Sequence, residues 1–281
     1  MPATILSGKD VAAALLDSLK PKVKELQPHM AIVQVGDDPA SDSYITQKRK
    51  SCEEVGITSI HRHLAEKTTK EELLRVVDEL NRDTTVTGFI VQLPLPAHLK
   101  SAVEEVIRAI DPAKDIDGFT PVNVGKTFLG TAFEDLPPAT PAGVILLLEH
   151  YGIDVRGKHA VVVGHSNITG KPLAAMLLNR NATVTVCHKY TADLAQFTGQ
   201  ADILCTAVGK PGLITGDMVK PGAVVIDIGT TRTDAGLKGD VDFDAVKEIA
   251  SAITPVPGGI GPMTVASLIR NCVRAAEMGR G

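Results

Sequence analysis

The chain has 281 residues, with 29 basic against 33 acidic side chains and a formal net charge of −4. That length holds two domains with substantial cores or one large α/β unit, and a near-balanced charge without blocks of one sign argues against general affinity for nucleic acid or an anionic membrane. Four scattered cysteines without a CxxC pair, and the absence of tryptophan, argue against a zinc site, a disulfide framework and a base-stacking platform.

The cysteine usage fits a reducing compartment. The opening MPATILSGKD lacks a basic stretch followed by an apolar one, and no apolar run is long enough to span a bilayer. A cytoplasmic protein with a small-molecule ligand and no metal is the expectation.

An opening helix is expected over residues 9–26. MAIVQVG reads as a buried strand, residues 41–55 as a helix with Ser41 or Asp42 near its start, and SIHRHL as a strand. TKEELLRVVDELN is an amphipathic helix capped by Thr68 or Thr69, and GFIVQLPLP a strand closed by prolines. This alternation implies βαβ units on a largely parallel sheet. Residues 128–143, rich in Pro, Ala and Gly, break the pattern and read as a linker.

Alternation then resumes. PAGVILLLEHYGI reads as a helix, followed by HAVVV, the helix KPLAAMLLN, and ATVTVCH, ADILCTAVG and AVVIDIG as strands. Short, continuously apolar strands are those covered by helices on both faces. A terminal helix over 264–278 follows the Pro/Gly-rich ITPVPGGIGPMT.

The stretch VVVGHSNITG joins a strand to a helix, where free backbone N–H groups and the helix dipole favour a phosphate. Gly164 supplies the tight turn and Gly170 permits close helix packing. Ser166 stands where a dinucleotide fingerprint has its middle glycine, and its hydroxyl can donate to a phosphate oxygen. The pattern alone also fits an ordinary strand-to-helix turn; its place as the first βα turn of an apolar strand series favours the cofactor. The next strand ends at His188 and Lys189, a cation where an NAD site usually has an acid, which points to NADP unless Lys189 is a solvated loop lysine.

In SDSYITQKRKSC, Tyr44 and Lys48 are spaced to share one helix face. An aromatic ring beside an amine suits a flat conjugated ligand and proton transfer, although spacing alone favours a surface pair in the solvated run Lys48, Arg49, Lys50. Gln92, at a strand end in an apolar segment, needs a hydrogen-bond partner, either a lysine amine or backbone. Asp115 and Asp117 in KDIDG lack the further carboxylates of a metal site and read as turn formers. Gln92, Ser166, Lys189 and Gly229 all fall near strand C-termini, where open α/β sheets gather ligands.

Taken together, VGDDPASDSYITQKRKSC, GFIVQLPLP, DPAKDIDGFTPVNVGK, VVVGHSNITGKP and TPVPGGIGPMT, in this order along almost the whole chain, resemble the bifunctional methylenetetrahydrofolate dehydrogenase/methenyltetrahydrofolate cyclohydrolase family. The resemblance implies an α/β catalytic, folate-binding domain over residues 1–122, completed by the C-terminal helix 264–281, and a Rossmann-like NADP-binding domain over 140–263, with the active site in a cleft between them. It implies homodimers, tetrahydrofolate substrates, and NADP, with NAD as the alternative cofactor.

By that resemblance the essential lysine is Lys48, the stacking tyrosine Tyr44, the lysine-supporting glutamine Gln92 and the pterin-binding aspartate Asp117. Pro257, Gly258 and Gly259 line the folate, Gly164, His165, Ser166 and Thr230 touch the cofactor, and Lys189 meets the 2′-phosphate. His165 stands where some relatives have arginine, Thr230-Thr231-Arg232 replaces Ile-Asn-Arg, and Ala139 replaces a common cysteine. Two other readings stay open: a dehydrogenase lacking the cyclohydrolase step, and an inactive folate or NADP sensor. A shikimate-type dehydrogenase would share the architecture without the YITQK and PGGIGPMT blocks.

Overall fold

The computed structural model describes residues 3–234 and 236–279. Residues 1 and 2, at the start of the expected first domain, and 280 and 281, at the end of the expected last helix, lie outside the described residues. In chain order the elements are β1 (Thr4–Ile5), α1 (Gly8–Leu26), β2 (His29–Val35), α2 (Pro39–Val55), β3 (Thr58–Leu64), α3 (Lys70–Arg82), β4 (Gly88–Val91), α4 (Val103–Ala109), α5 (Pro121–Leu129) and α6 (Ala139–His150). There follow β5 (His159–Val163), α7 (Gly170–Asn179), β6 (Thr183–Cys187), α8 (Leu194–Thr198), β7 (Ile203–Thr206), β8 (Val224–Asp227), β9 (Thr231–Thr233), β10 (Gly236–Lys238), α9 (Phe243–Val246), β11 (Ala252–Ile253) and α10 (Ile260–Met278).

The chain divides into two compact units. One takes the chain up to Ala13, Thr127–Phe133 and Thr140–Thr264; the other takes Ala14–Lys126, Glu134–Ala139 and the chain from Val265. The α/β class and the parallel sheets are as the alternation implied.

The second of these units is built on a three-stranded parallel sheet in the order β3-β2-β4. Its central strand is apolar on both faces: Ala31 and Val33 pack with Leu73, Val77 and Leu80 of α3, while Met30 and Ile32 on the opposite face are equally buried. The spacing of those α3 residues puts them on one helical stripe. Of the two caps expected, Thr68 or Thr69, the structure uses Thr69, which closes a reciprocal capping box with Glu72. Helix α2 begins earlier than expected: Asp38 is the cap, its carboxylate accepting from Ser41 N at 2.8 Å, and Pro39 occupies the first turn, where no N–H is missed. Strand β4 ends at Val91, with one further ladder bond from Gln92 N to Val33 O, so the Leu93–Pro96 part of the expected strand is loop.

The first unit carries a six-stranded sheet in the order β1-β11-β8-β7-β5-β6, parallel at every pairing. Strands β5 and β7, inside the sheet, are buried almost throughout, whereas the edge strand β6 leaves Thr183 and Val186 exposed. Strand order reverses around β5, with β6 on one side and β7 on the other. The loops leaving β5 and β7 therefore flank a topological switch point. The antiparallel ribbon β9–β10 has no counterpart in the expected elements. Helix α10 starts at Ile260 rather than Thr264 because Pro262 falls in its first turn, where proline is tolerated. Among the described residues no helix is long and apolar enough to cross a membrane.

Candidate functional site

In the second unit, helix α2 presents Tyr44 and Lys48 one turn apart, as their spacing required. Tyr44 is 39% exposed, while Lys48 is buried at 8%. The Lys48 amine donates to Gln92 Oε1 at 2.9 Å, so the glutamine's partner is the lysine rather than backbone alone. Gln92 sits where β4 ends, its own N–H continuing the ladder to Val33 O at 2.8 Å, and its Nε2 donating to Leu93 O at 2.6 Å.

Burial holds the Lys48 pKa below the ordinary lysine range, against the opposing pull of Asp117 and Cys52. Asp117 is pushed up to about 6 by its own burial, with Lys48 working the other way and Asp115 adding to the rise. Lys48 thus joins the other two, by a hydrogen bond to Gln92 and by charge to Asp117. Cys52, the nearby thiol on the same helix, is pushed up to about 12 by burial and stays protonated.

The two aspartates of KDIDG have separate tasks. Asp115 is the turn former: its carboxylate accepts from Gly118 N, Phe119 N, Thr120 N and the Asn123 amide at 2.8–3.2 Å. Its neighbour Asp117 is left free of that work. Asn271, buried on α10, donates to Ile116 O at 2.9 Å and Pro137 O at 2.8 Å, holding the aspartate turn to the PPAT segment. The sequence reading missed Asn271; a polar residue on the buried stripe of a helix was the available signal.

In the first unit the glycine loop behaves as its residues imply. Gly164 has φ +123°, and a Cβ there would meet Ala207 O at 2.6 Å; a Cβ on Gly170 would collide with Gly164 O. Only glycine fits either place. Ser166 compensates for the absent middle glycine by capping: its Oγ accepts from Thr169 N at 3.2 Å and Gly170 N at 3.4 Å, leaving the hydroxyl proton to donate elsewhere. The close glycine cradle and helix start fit a dinucleotide pyrophosphate.

His165 and His188 bring their rings to 4.9 Å, and the Lys189 amine lies over the Tyr190 ring at 4.8 Å. His188 Nδ1 accepts from Tyr190 N at 3.2 Å, fixing the bend that follows β6. Basic side chains from the two loops after β5 and β6 therefore stand together. Thr230 is exposed, just past β8. Pro257, Gly258 and Gly259 also belong to this unit, with Gly258 O accepting from Gly8 N at 2.9 Å and Lys9 N at 3.1 Å at the start of α1. Two further residues went unread in the sequence, the buried carboxylates Asp227 and Asp240, which bind the backbone of the loops after β7 and β8.

The NAD(P)-binding domain of tetrahydrofolate dehydrogenase/cyclohydrolase matches residues 138–280, and the catalytic domain of the same family matches residues 6–117. A bifunctional protein FolD of Halothermothrix orenii is 51% identical over 97% of this chain and 98% of its own length. The crystal structure of the bifunctional methylenetetrahydrofolate dehydrogenase/cyclohydrolase FolD from Campylobacter jejuni is 45% identical, with a TM-score of 0.93 and 99% of each chain covered. A Trypanosoma brucei N5,N10-methylenetetrahydrofolate dehydrogenase-cyclohydrolase, complexed with NADP and an inhibitor, is 35% identical, with a TM-score of 0.94 over 100% of this chain and 99% of that one.

Proposed function

The chain belongs to the tetrahydrofolate dehydrogenase/cyclohydrolase family, and on that premise we propose that it is a bifunctional enzyme of one-carbon metabolism. It oxidises 5,10-methylenetetrahydrofolate to the 5,10-methenyl cation with NADP, then hydrolyses the cation to 10-formyltetrahydrofolate. The observation that carries this reading is the buried Lys48 amine held on Gln92 Oε1 at 2.9 Å beside Asp117.

NADP, when bound, supplies the hydride acceptor for the first half-reaction. Gly164, His165, Ser166 and Thr230 would hold it, the helix start at α7 suiting a pyrophosphate and Lys189 a 2′-phosphate. The oxidation requires orientation rather than an acid or base. Tyr44 stacks on the folate, Pro257, Gly258 and Gly259 line it, and Asp117 accepts from the amino and ring N–H groups of the pterin.

Hydrolysis needs a group that takes a proton from the attacking water and returns one as the ring opens. Lys48 does this because burial, and a cationic substrate alongside, favour its neutral amine. Gln92 offers that amine an oxygen acceptor, which keeps the nitrogen in place in either protonation state. The resemblance further implies a homodimer in the cytoplasm, which sizing and fractionation test.

The decisive measurement gives the purified protein methylenetetrahydrofolate with NADP or NAD, then methenyltetrahydrofolate without cofactor. Faster reduction of NADP together with enzyme-dependent decay of the methenyl absorbance is expected. Decay at the uncatalysed rate would reduce the protein to a dehydrogenase, and no reduction with either cofactor would leave a sensor.

A further inference from the structure

The chemistry assigned above leaves unused two carboxylates of the first unit, Asp227 at the end of β8 and Asp240 just before Val241, which are 4% and 0% exposed. A carboxylate this deep must be met by donors. Both are met chiefly by backbone. Asp240 accepts from Val208 N and Lys210 N, each at 2.7 Å. Asp227 Oδ1 accepts from Gly229 N at 3.1 Å, Asp240 N at 3.0 Å and Thr206 Oγ1 at 3.2 Å, while Oδ2 accepts from Val241 N at 3.0 Å.

The fit is tight enough to dictate neighbouring residues. Any Cβ on Gly229 would collide with the Asp240 carboxylate, and one on Gly239 would collide with Asp227 Oδ2. The network also reaches onward, since Asp227 N donates to Thr254 Oγ1 at 2.8 Å at the head of the segment leading to Pro257.

What the pair holds is more telling than what it is. Val208–Lys210 belongs to the loop leaving β7, whose Ala207 carbonyl lies against Gly164 of the fingerprint turn. Gly229 leads directly to Thr230. These loops leave the C-terminal ends of parallel strands, beside the place where strand order reverses.

Resting on the NADP reading above, we infer that Asp240, supported by Asp227, is a positioning residue for the dinucleotide, holding the loops after β7 and β8 in the shape that receives it. A carboxylate is required because the Val208 and Lys210 N–H groups converge on one side chain, each on a different oxygen. An asparagine there has one oxygen and would turn its own N–H groups on a backbone donor.

The test is Asp240→Asn in the full chain, with Thr206→Val as a second variant that deletes one donor to Asp227 at nearly constant volume. Three quantities are read: the NADP dissociation constant by calorimetry, KM and kcat of dehydrogenation, and cofactor-free hydrolysis of methenyltetrahydrofolate. Asp240→Asn should weaken NADP binding and raise its KM at least about tenfold, the effect of one unpaired buried donor. Thr206→Val should do so more modestly, and hydrolysis should stay within about twofold of wild type in both.

Unchanged NADP affinity in both variants would overturn the inference. So would hydrolysis falling in step with NADP affinity in both, which would mark a role in general folding. A wild-type protein that binds NADP without reducing it would sink the functional reading instead, and the calorimetric comparison would still decide the role of Asp240.

Discussion

Lys48 and Gln92 meet as amine and amide oxygen at 2.9 Å, and Gln92 cannot turn its other end toward the lysine because Nε2 is already bonded to Leu93 O at 2.6 Å. The glutamine is anchored a third time through its main-chain N–H to Val33 O at 2.8 Å. The buried amine thus faces a fixed, uncharged acceptor.

Lys48→Met should remove methenyl hydrolysis by a factor of at least about a hundred, the usual worth of a positioned proton-transfer group. The same change should stabilise the fold, raising Tm by roughly 2–4 °C. Lys48 in the folded chain lies below the ordinary lysine range, so the unfolded chain binds more protons and the residue's cost to stability shrinks as pH rises toward that range. Melting curves from pH 7 up to the ordinary lysine range check this: the gain from methionine should shrink toward the top of that range. Wild-type hydrolysis by the variant would remove Lys48 from the mechanism.

Gln92→Glu replaces the neutral acceptor by a charge. A carboxylate at this distance favours the ammonium form of Lys48, so the pH at which hydrolysis reaches half its maximum should move upward by roughly 1–3 pH units. The pH profile of kcat/KM with methenyltetrahydrofolate reads the shift. A downward movement, or none with the enzyme folded, would mean that Gln92 does not set the protonation of the lysine.

Asp117 is raised by burial to about 6, which places its change of charge within an accessible window. Below that pH the carboxylate is protonated and loses the bidentate acceptor assigned to the pterin, so the folate KM should climb as pH falls from 7 to 5. Asp117→Asn should raise the folate KM about tenfold or more at pH 7.5 and flatten that acid limb. An acid limb that survives the substitution would have to be assigned to another group.

Lys189→Ala should raise the NADP KM about tenfold while leaving the NAD KM within about twofold, because only one of the two cofactors carries the 2′-phosphate. Ser166→Ala should act differently. It removes the hydroxyl that can donate to a phosphate and the acceptor for Thr169 N and Gly170 N, so it should weaken both cofactors together and lower Tm by roughly 2–4 °C for about 1 kcal/mol of lost capping. Initial rates with each cofactor separate the two variants.

The chain's own pattern determined much of this. Period-two and continuous apolar runs indicated β2, β3, β5 and β7, Thr68 or Thr69 before an amphipathic run indicated the start of α3, and the Tyr44/Lys48 spacing indicated a shared helix face, because each depends on residues within a few positions of one another. Tertiary structure decided what local pattern cannot carry. The strand Thr4–Ile5 pairs with Ala252–Ile253, the Lys48 amine finds Gln92, and Asn271 finds Ile116 and Pro137, all across separations that only packing closes.

The aspartates make the same point most sharply. Asp115, Asp117, Asp227 and Asp240 look alike in the sequence, each in a polar turn or at a strand end. Three have taken up backbone N–H groups, while Asp117 remains as the carboxylate coupled to Lys48. Donor directions around a side chain are set by the path of distant loops, so the division of labour among identical residues exists only once the chain is folded.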